Sequence, residues 1–259
     1  MWKQSNLLGI KFYPVGLNDA VEIVIQHVNK KAGDYFCLAN IHLVMESIKN
    51  SELKKILNES AGNFPDGMGV AWALKILGNK FKGRVRGTDL MLELCHFASR
   101  NNLKVFLYGS TKENLIVLKN RLEKIYKGIK IVGIISPPFR PLTDKEDELF
   151  THQINDSGAD ILFVSLGAPK QEKWMAEHKG RIKAVQLGVG AAFDFITGKV
   201  KQAPVWMQNI GLEWLYRLPQ QPVKTTSRML LAPEFVFRVL KEFVNQKMKG
   251  TNVEEKEKR

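Results

Sequence analysis

Ile161-Leu162-Phe163-Val164-Ser165-Leu166 is an almost unbroken apolar stretch of strand length, and it restricts the architecture more than any other segment. A strand with one wet face alternates apolar and polar residues. A run without that alternation reads as a strand buried on both faces, the habit of parallel sheets covered by helices. The neighbouring residues repeat the theme. Val105-Phe106-Leu107-Tyr108 ends in Gly109-Ser110, and Ser110 with Glu113 reads as a capping box opening a helix to about Tyr126. A strand follows over 130–134, and Thr143 with Glu146 is a second capping box, starting a helix to about Asp156. After the run at 161–166 a helix is expected from Pro169, and Ala184-Val185-Gln186-Leu187 leads into Gly188-Val189-Gly190. Strands alternating with helices predict an α/β fold with a parallel, doubly wound sheet.

The first hundred residues are less regular. Phe36-Cys37-Leu38 reads as one strand, and helical periodicity falls near 17–30, 42–58, 67–77 and 88–101. After Pro204 the strand signals stop. The expected division is an α/β unit over 1–200 and a helical appendage over 201–259, with Glu254 to Arg259 a disordered charged tail.

A net charge of +13 constrains partners more than fold. Nine Lys or Arg against three Asp or Glu lie between Lys199 and Lys249, so the appendage is strongly basic. Zinc spacings and RNA-recognition aromatics are missing, which argues against nucleic acid. Val236, Val239, Leu240, Phe243 and Val244 recur at helical spacing, with Arg228, Arg238, Lys241, Lys247 and Lys249 around them. Such a basic amphipathic helix either lies on an anionic membrane surface or packs on the core or on a partner subunit. No stretch approaches the roughly 18 apolar residues of a spanning helix. Leu7-Leu8-Gly9-Ile10 is too short for a signal peptide, and Cys37 and Cys95 fit reduced, packed thiols, so a cytoplasmic location is expected.

In a parallel sheet, ligands bind beyond the carboxyl ends of the strands. The candidate lips are Asn40, Gly109-Ser110, Gly167 to Gln171, and Gly188 to Asp194. Four small or glycine-rich lips in one sheet favour a nucleotide-phosphate site over four unrelated tight turns. Gly188-Val189-Gly190-Ala191-Ala192-Phe193 and Gly67-Met68-Gly69-Val70-Ala71-Trp72 both lack the third small residue of the dinucleotide fingerprint, so NAD is not supported. A P-loop and an Asp-x-Asp pair are missing, and the histidines do not fall at zinc spacing, so no metal and no cofactor are expected. Asp66, between Pro65 and Gly67 ahead of a helical pattern, either caps that helix or serves as a base on a turn facing the cleft.

Six segments, in order, resemble the WecG/TagA/CpsF glycosyltransferases. They are Phe64-Pro65-Asp66-Gly67-Met68-Gly69; Arg84-Val85-Arg86-Gly87-Thr88-Asp89-Leu90; Leu166-Gly167-Ala168-Pro169-Lys170-Gln171-Glu172-Lys173-Trp174; Gly188-Val189-Gly190-Ala191-Ala192-Phe193-Asp194-Phe195; Gly198-Lys199-Val200-Lys201-Gln202-Ala203-Pro204; and Gly211-Leu212-Glu213-Trp214-Leu215-Tyr216-Arg217-Leu218. The likeness runs from about Leu8 to Phe235. It implies a Rossmann-like, metal-independent, inverting transferase, peripheral at the inner face of the cell membrane, with a basic C-terminal appendage. The enzyme would move a hexose-type sugar (N-acetylmannosamine, its uronic acid, glucose or glucuronic acid) from a UDP-sugar to a polyprenyl-diphosphate-linked saccharide. The pathways implied are cell-surface polysaccharide and teichoic-acid synthesis, and a homo-oligomer is compatible with all of this.

The resemblance makes Asp66 the general base. Arg84, and after it Arg217 from the appendage, would meet the charge growing on the departing diphosphate. Asn40 and Gln171 match positions near the donor sugar, Asp194 would accept a hydrogen bond from the uracil ring, and Gly109, Ser110, Gly188 and Gly190 would line the donor site. Lys170 is equally a phosphate contact and a solvated helix residue, and Arg86 stands at a variable place that carries no role over. Leu38 replaces a threonine of some members, and Lys224 with Arg228 replaces a run of arginines. Two rival readings are a nicotinamide-dependent oxidoreductase on the same fold and a non-catalytic basic module for anionic lipid or nucleic acid.

Overall fold

Period-two alternation along the strands sorts the side chains of one central sheet into two apolar cores. The computed structural model describes residues 2–80, 82–220 and 222–257. In chain order the elements are β1 (Ser5–Leu7), β2 (Ile10–Phe12), α1 (Leu17–Lys30), β3 (Tyr35–Ala39), α2 (Ile41–Lys49), α3 (Ser51–Glu59) and β4 (Gly62–Pro65). Then come α4 (Met68–Ile76), α5 (Gly87–Arg100), β5 (Lys104–Gly109), α6 (Lys112–Ile125), β6 (Lys130–Ile135), α7 (Asp144–Asp156) and β7 (Ile161–Ser165). The chain closes with α8 (Lys170–Glu177), β8 (Val185–Gly188), α9 (Ala192–Thr197), α10 (Val205–Asn209), α11 (Glu213–Arg217), α12 (Pro222–Met229) and α13 (Ala232–Glu257).

Six strands form one sheet in the order β4-β3-β8-β7-β5-β6, and every pairing is parallel. The expected α/β fold with helices on both faces is therefore what the chain adopts. Phe36 and Leu38 of β3, Val105 and Leu107 of β5, and Ile161 and Phe163 of β7 face one core, closed by α1, α5, α6 and α9. Their sequence neighbours Tyr35, Cys37, Phe106, Tyr108, Leu162 and Val164 face the other, closed by α2, α3, α4, α7 and α8. From β3 the chain steps outward to β4, and from β5 outward to β6. The crossovers thus diverge at the middle of the sheet, where such folds open a crevice. Cys37 and Cys95 are free, buried thiols, as expected, and burial raises both above the usual thiol range.

The capping box of Thr143 with Glu146 is present in both directions. The other differs from expectation. Ser110 takes a left-handed conformation (φ 58°), and Thr111 caps α6 by accepting from the Asn114 N–H. The helix expected over 42–58 is two helices, because Asn50 ends α2 and caps α3 through its side chain. Strand β4 and the antiparallel β1–β2 pair were not anticipated.

Past Pro204 the chain is helical, as expected. The stripe on α13 divides: Phe235 and Val239 are 2% exposed and join the second core, while Val236, Leu240 and Val244 face outward. Glu242 accepts a hydrogen bond from the Leu8 N–H and fastens the helix to the hairpin. The charged tail expected over 254–259 lies, in its side chains and final two residues, outside the described residues.

Gly109 ends β5 at φ 114°, and a Cβ there would lie 2.3 Å from the Ser165 carbonyl oxygen at the end of β7. Both the backbone conformation and the close approach exclude a side chain. Gly109→Ala should cost roughly 2–4 kcal/mol, measured by urea unfolding at neutral pH.

Candidate active site

A cleft of about 1070 Å³ runs along the carboxyl ends of the strands and is roofed by the appendage. Asn40 follows β3, Asp66 follows β4, Ser110 follows β5, Gly167 to Gln171 follow β7, and Gly188 to Asp194 follow β8. Of the glycines expected there, Gly188 and Gly190 line the cleft. Gly109 is not among the lining residues, and its neighbour Ser110 takes that place. Lys170 lines the cleft as well.

Asp66 sits on the turn between β4 and α4. Its backbone N–H donates to the Ala39 carbonyl, and Gly67 after it, not Asp66, is the cap of α4. Burial raises the Asp66 carboxyl to about 6; Arg217 opposes the shift, Glu213 reinforces it, and Arg86 and Arg84 oppose it. The carboxylate is thus half-buried among cations that only partly replace the water it has lost.

Those cations converge from both parts of the chain. Glu213 of α11 pairs with Arg84 Nη1 at 3.0 Å, Arg217 Nη2 at 3.3 Å and Arg86 Nε at 3.6 Å. Arg84 also donates to Gln208 at 3.4 Å; it stands behind the cleft wall and ties the core to α10 and α11. Arg86 lines the cleft itself, held by Asp89 and by Gln202 at 3.1 Å. Arg217 lines it too, its guanidinium 4.9 Å from the Phe195 ring centroid, a stacking distance for a cation. Arg228 of α12 lies on the rim.

The other polar groups of the cleft fall into three small hydrogen-bonded sets. Asn40 caps α2 by accepting from the Leu43 N–H, and Leu38 lines the wall beside it. Gln171 accepts from the Gly190 N–H at 3.2 Å, and the Ser165 hydroxyl donates to the Gly190 carbonyl at 2.6 Å. Asn114 donates to Ser110 Oγ at 2.9 Å and to Asp194 Oδ1 at 3.0 Å. Gly87 lets α5 approach this turn, since a Cβ there would lie 2.6 Å from the Val189 carbonyl oxygen.

The structure therefore brings Asn40, Asp66, Ser110, Gln171, Gly188, Gly190, Asp194 and Arg217 to one cleft, with Arg84 one layer behind. Sequence reasoning passed over Arg86, Asn114 and Glu213. Asn114 lies one helical turn after Ser110, a spacing that could have been noticed. In the Glu213 cluster only the pair with Arg217, four residues on, is local; Arg84 and Arg86 lie far away in the chain and had no local signal. Among the described residues, no three His, Cys, Asp or Glu side chains are grouped to hold a metal ion.

Residues 5–249 match the family model described as the glycosyl transferase WecG/TagA/CpsF family. The chain is 32% identical over 240 residues to the N-acetylglucosaminyldiphosphoundecaprenol N-acetyl-beta-D-mannosaminyltransferase of Bacillus subtilis (strain 168). That alignment covers 92% of this chain and 91% of the relative. A protein of the same name from Bacillus spizizenii is 30% identical over 216 residues, 83% of this chain and 82% of that one.

The Asp66 environment has a thermodynamic consequence that needs no substrate. Its folded pKa, about 6, lies above the usual carboxylate value of 3.8, so ionisation works against folding. The penalty is absent below pH 3.8, grows as pH rises to about 6, and is constant above. Asp66→Asn should therefore be more stable than the wild type at pH 7, with the advantage vanishing near pH 4. Thermal unfolding of both proteins across that range measures it.

Proposed function

Because the chain belongs to the WecG/TagA/CpsF family of glycosyltransferases, we propose that it transfers an N-acetylmannosaminyl group from a UDP-sugar to a polyprenyl-diphosphate-linked N-acetylglucosamine. The identity of the sugar and of the acceptor follows the two relatives' names. The observation that carries the reaction is the meeting of Asp66 with Arg86, Arg217 and Arg228 in one cleft at the carboxyl ends of a parallel sheet. A general base and several cations are what a glycosyl transfer without a metal requires.

On this reading the donor lies along the Gly188–Gly190 turn, with its uracil towards Asp194 and its sugar between Asn40 and Gln171. The acceptor hydroxyl attacks the anomeric carbon from the face opposite the UDP, so the configuration inverts. Its proton passes to Asp66 as the new C–O bond forms. The bond to the diphosphate breaks, and the electron pair leaves with UDP. Arg217 and Arg86 meet the negative charge that develops there, and Arg84 holds Glu213 and hence α11 in register.

The appendage suits a lipid-linked acceptor. Val205 and Trp206 of α10, Ile210 just after it and Leu215 of α11 lie exposed, and Phe237 and Leu240 are exposed on α13. No helix among the described residues is long and apolar enough to cross a membrane. A peripheral contact, apolar side chains in the headgroup layer with lysines around them, is the association we propose. The reaction serves cell-surface polymer synthesis of the teichoic-acid kind.

Transfer from UDP-N-acetylmannosamine to a short-chain acceptor tests the scheme. A base works only when ionised, so turnover should be present above pH 6 and fall as pH drops through about 6. Asp66→Asn should lose about a hundred-fold to ten-thousand-fold in rate while UDP still binds. Turnover should persist in excess EDTA; a collapse reversed by magnesium or manganese overturns the charge-stabilisation scheme. Transfer from another UDP-sugar alone would redirect the donor assignment.

Vesicles containing phosphatidylglycerol should bind the intact protein, less tightly as salt rises. Trp206→Ser combined with Phe237→Ser should weaken that binding at least about thirty-fold, at roughly 1–2 kcal/mol per lost apolar side chain. Unchanged binding in a sedimentation assay would locate the membrane face elsewhere.

A further inference from the structure

Glu172, in the first turn of α8, is fully buried (0% exposed), yet it takes no part in the chemistry above. Its Oε1 accepts a hydrogen bond from Gln171 Nε2 at 2.7 Å, and its Oε2 has no hydrogen-bond partner among the described residues. Burial pushes the carboxyl up to about 7, and the hydrogen bonds from Gln171 and from its own backbone N–H only partly offset this. A buried carboxyl with one unsatisfied oxygen is a liability. Apolar packing at such a place is commonly neutral or stabilising.

What the carboxylate does locally is orient an amide. Through Oε1, Glu172 accepts from the NH2 end of Gln171 and leaves the carbonyl end for the Gly190 N–H. Rotated by half a turn, the amide would set its NH2 against that N–H, donor against donor. The turn is pinned from its other side by Ser165, which donates to the Gly190 carbonyl. It is also tightly packed. A Cβ on Gly188 would lie 2.8 Å from Met175 Cε and 2.9 Å from Gln171 Nε2. The position of the Gly188–Gly190 turn thus depends on which way one amide points.

We propose that Glu172 is a positioning residue: it fixes the Gln171 amide and, through it, the turn that receives the donor nucleotide. This rests on the reading of the cleft as a UDP-sugar site. Because Glu172 touches the donor only through Gln171, its removal raises the donor KM and the UDP Kd and leaves kcat nearly unchanged.

The test uses the full chain with Glu172→Met, Glu172→Gln, Gln171→Leu and the double variant Gln171→Leu/Glu172→Met. UDP affinity is read by calorimetry, transfer by steady-state kinetics, and folding by thermal unfolding. Glu172→Met should unfold no earlier than the wild type and bind UDP about ten-fold or more weakly, a loss typical of an outer-layer orienting group. Glu172→Gln, whose carbonyl can still accept from Gln171, should recover most of the affinity. In the Gln171→Leu background Glu172→Met should have no further effect, since the amide it orients is gone. A folded Glu172→Met protein with wild-type UDP affinity overturns the assignment. So does an equal loss in both backgrounds, or a Met variant that fails to fold, since either makes the residue a packing element. If the wild type itself binds no UDP, the donor reading fails first and is recognisably what failed.

Discussion

Burying a sheet on both faces leaves its side chains no access to solvent, so chemistry is confined to the strand ends. Phe36 and Leu38 serve one core, and Tyr35, Cys37 and Ala39 serve the other. All six strands being parallel, their carboxyl ends lie along one edge of the layer. There the backbone must turn into a helix or a crossover within a few residues. Small residues with unusual φ collect at that edge: Gly67 at 96°, Gly109 at 114°, Ser110 at 58°, Gly167 at 81° and Gly190 at 56°. The cleft is the product of this geometry. Residues far apart in sequence meet because each follows a different strand of one sheet.

The sheet edge supplies dipoles and small groups but few charges, and the appendage changes that. Glu213 alone draws on Arg84, Arg86 and Arg217, joining the segment after α4 to α11. Three guanidiniums around one carboxylate leave an excess of positive charge. It bears on Asp66, which burial would otherwise push further toward the neutral form. Each charge constrains the next: the arginines hold the appendage through Glu213, and the appendage contributes Arg217 to the wall facing Asp66. Arg84 contributes without lining the cleft, whereas Arg86 lines it.

How far this was legible in the sequence depended on the range of the interactions. The β7 strand was readable because a strand buried twice has no polar alternation, and the Thr143 cap because its partner lies three residues away. β4 was not. Gly62-Asn63-Phe64-Pro65 carries a glycine, an asparagine and a proline, all poor strand formers, and is held by its parallel pairing with β3. Asn63 is nearly fully buried there because its side chain donates to the Lys11 and Leu57 carbonyls. Ser110 misled for the converse reason. Its composition fits a cap, but it takes a left-handed conformation at the turn after β5, and Thr111 caps α6 in its place. The motif residues Asp66, Gln171, Gly188 and Asp194 could be named from resemblance to a family. The Glu213 cluster depends on tertiary proximity, and no window of sequence contains it.

Asp66 and Glu172 are two carboxyls whose ionisation burial opposes; the first directly follows β4, and the second is the third residue of α8. Burial raises each, the first to about 6 and the second to about 7. Their surroundings differ in a way that separates their roles. Asp66 keeps part of its surface on the cleft and faces cations from two elements, so it can exchange a proton with a bound molecule. Glu172 is closed off and faces one amide, so it can act only by orienting that amide. A sheet packed on both sides tolerates such groups where its regular hydrogen bonding ends, because the backbone there is already committed to irregular turns. The same burial that raises a proton affinity at Asp66 holds an amide in one orientation at Gln171. Reactivity and alignment in this cleft thus come from the same exclusion of water.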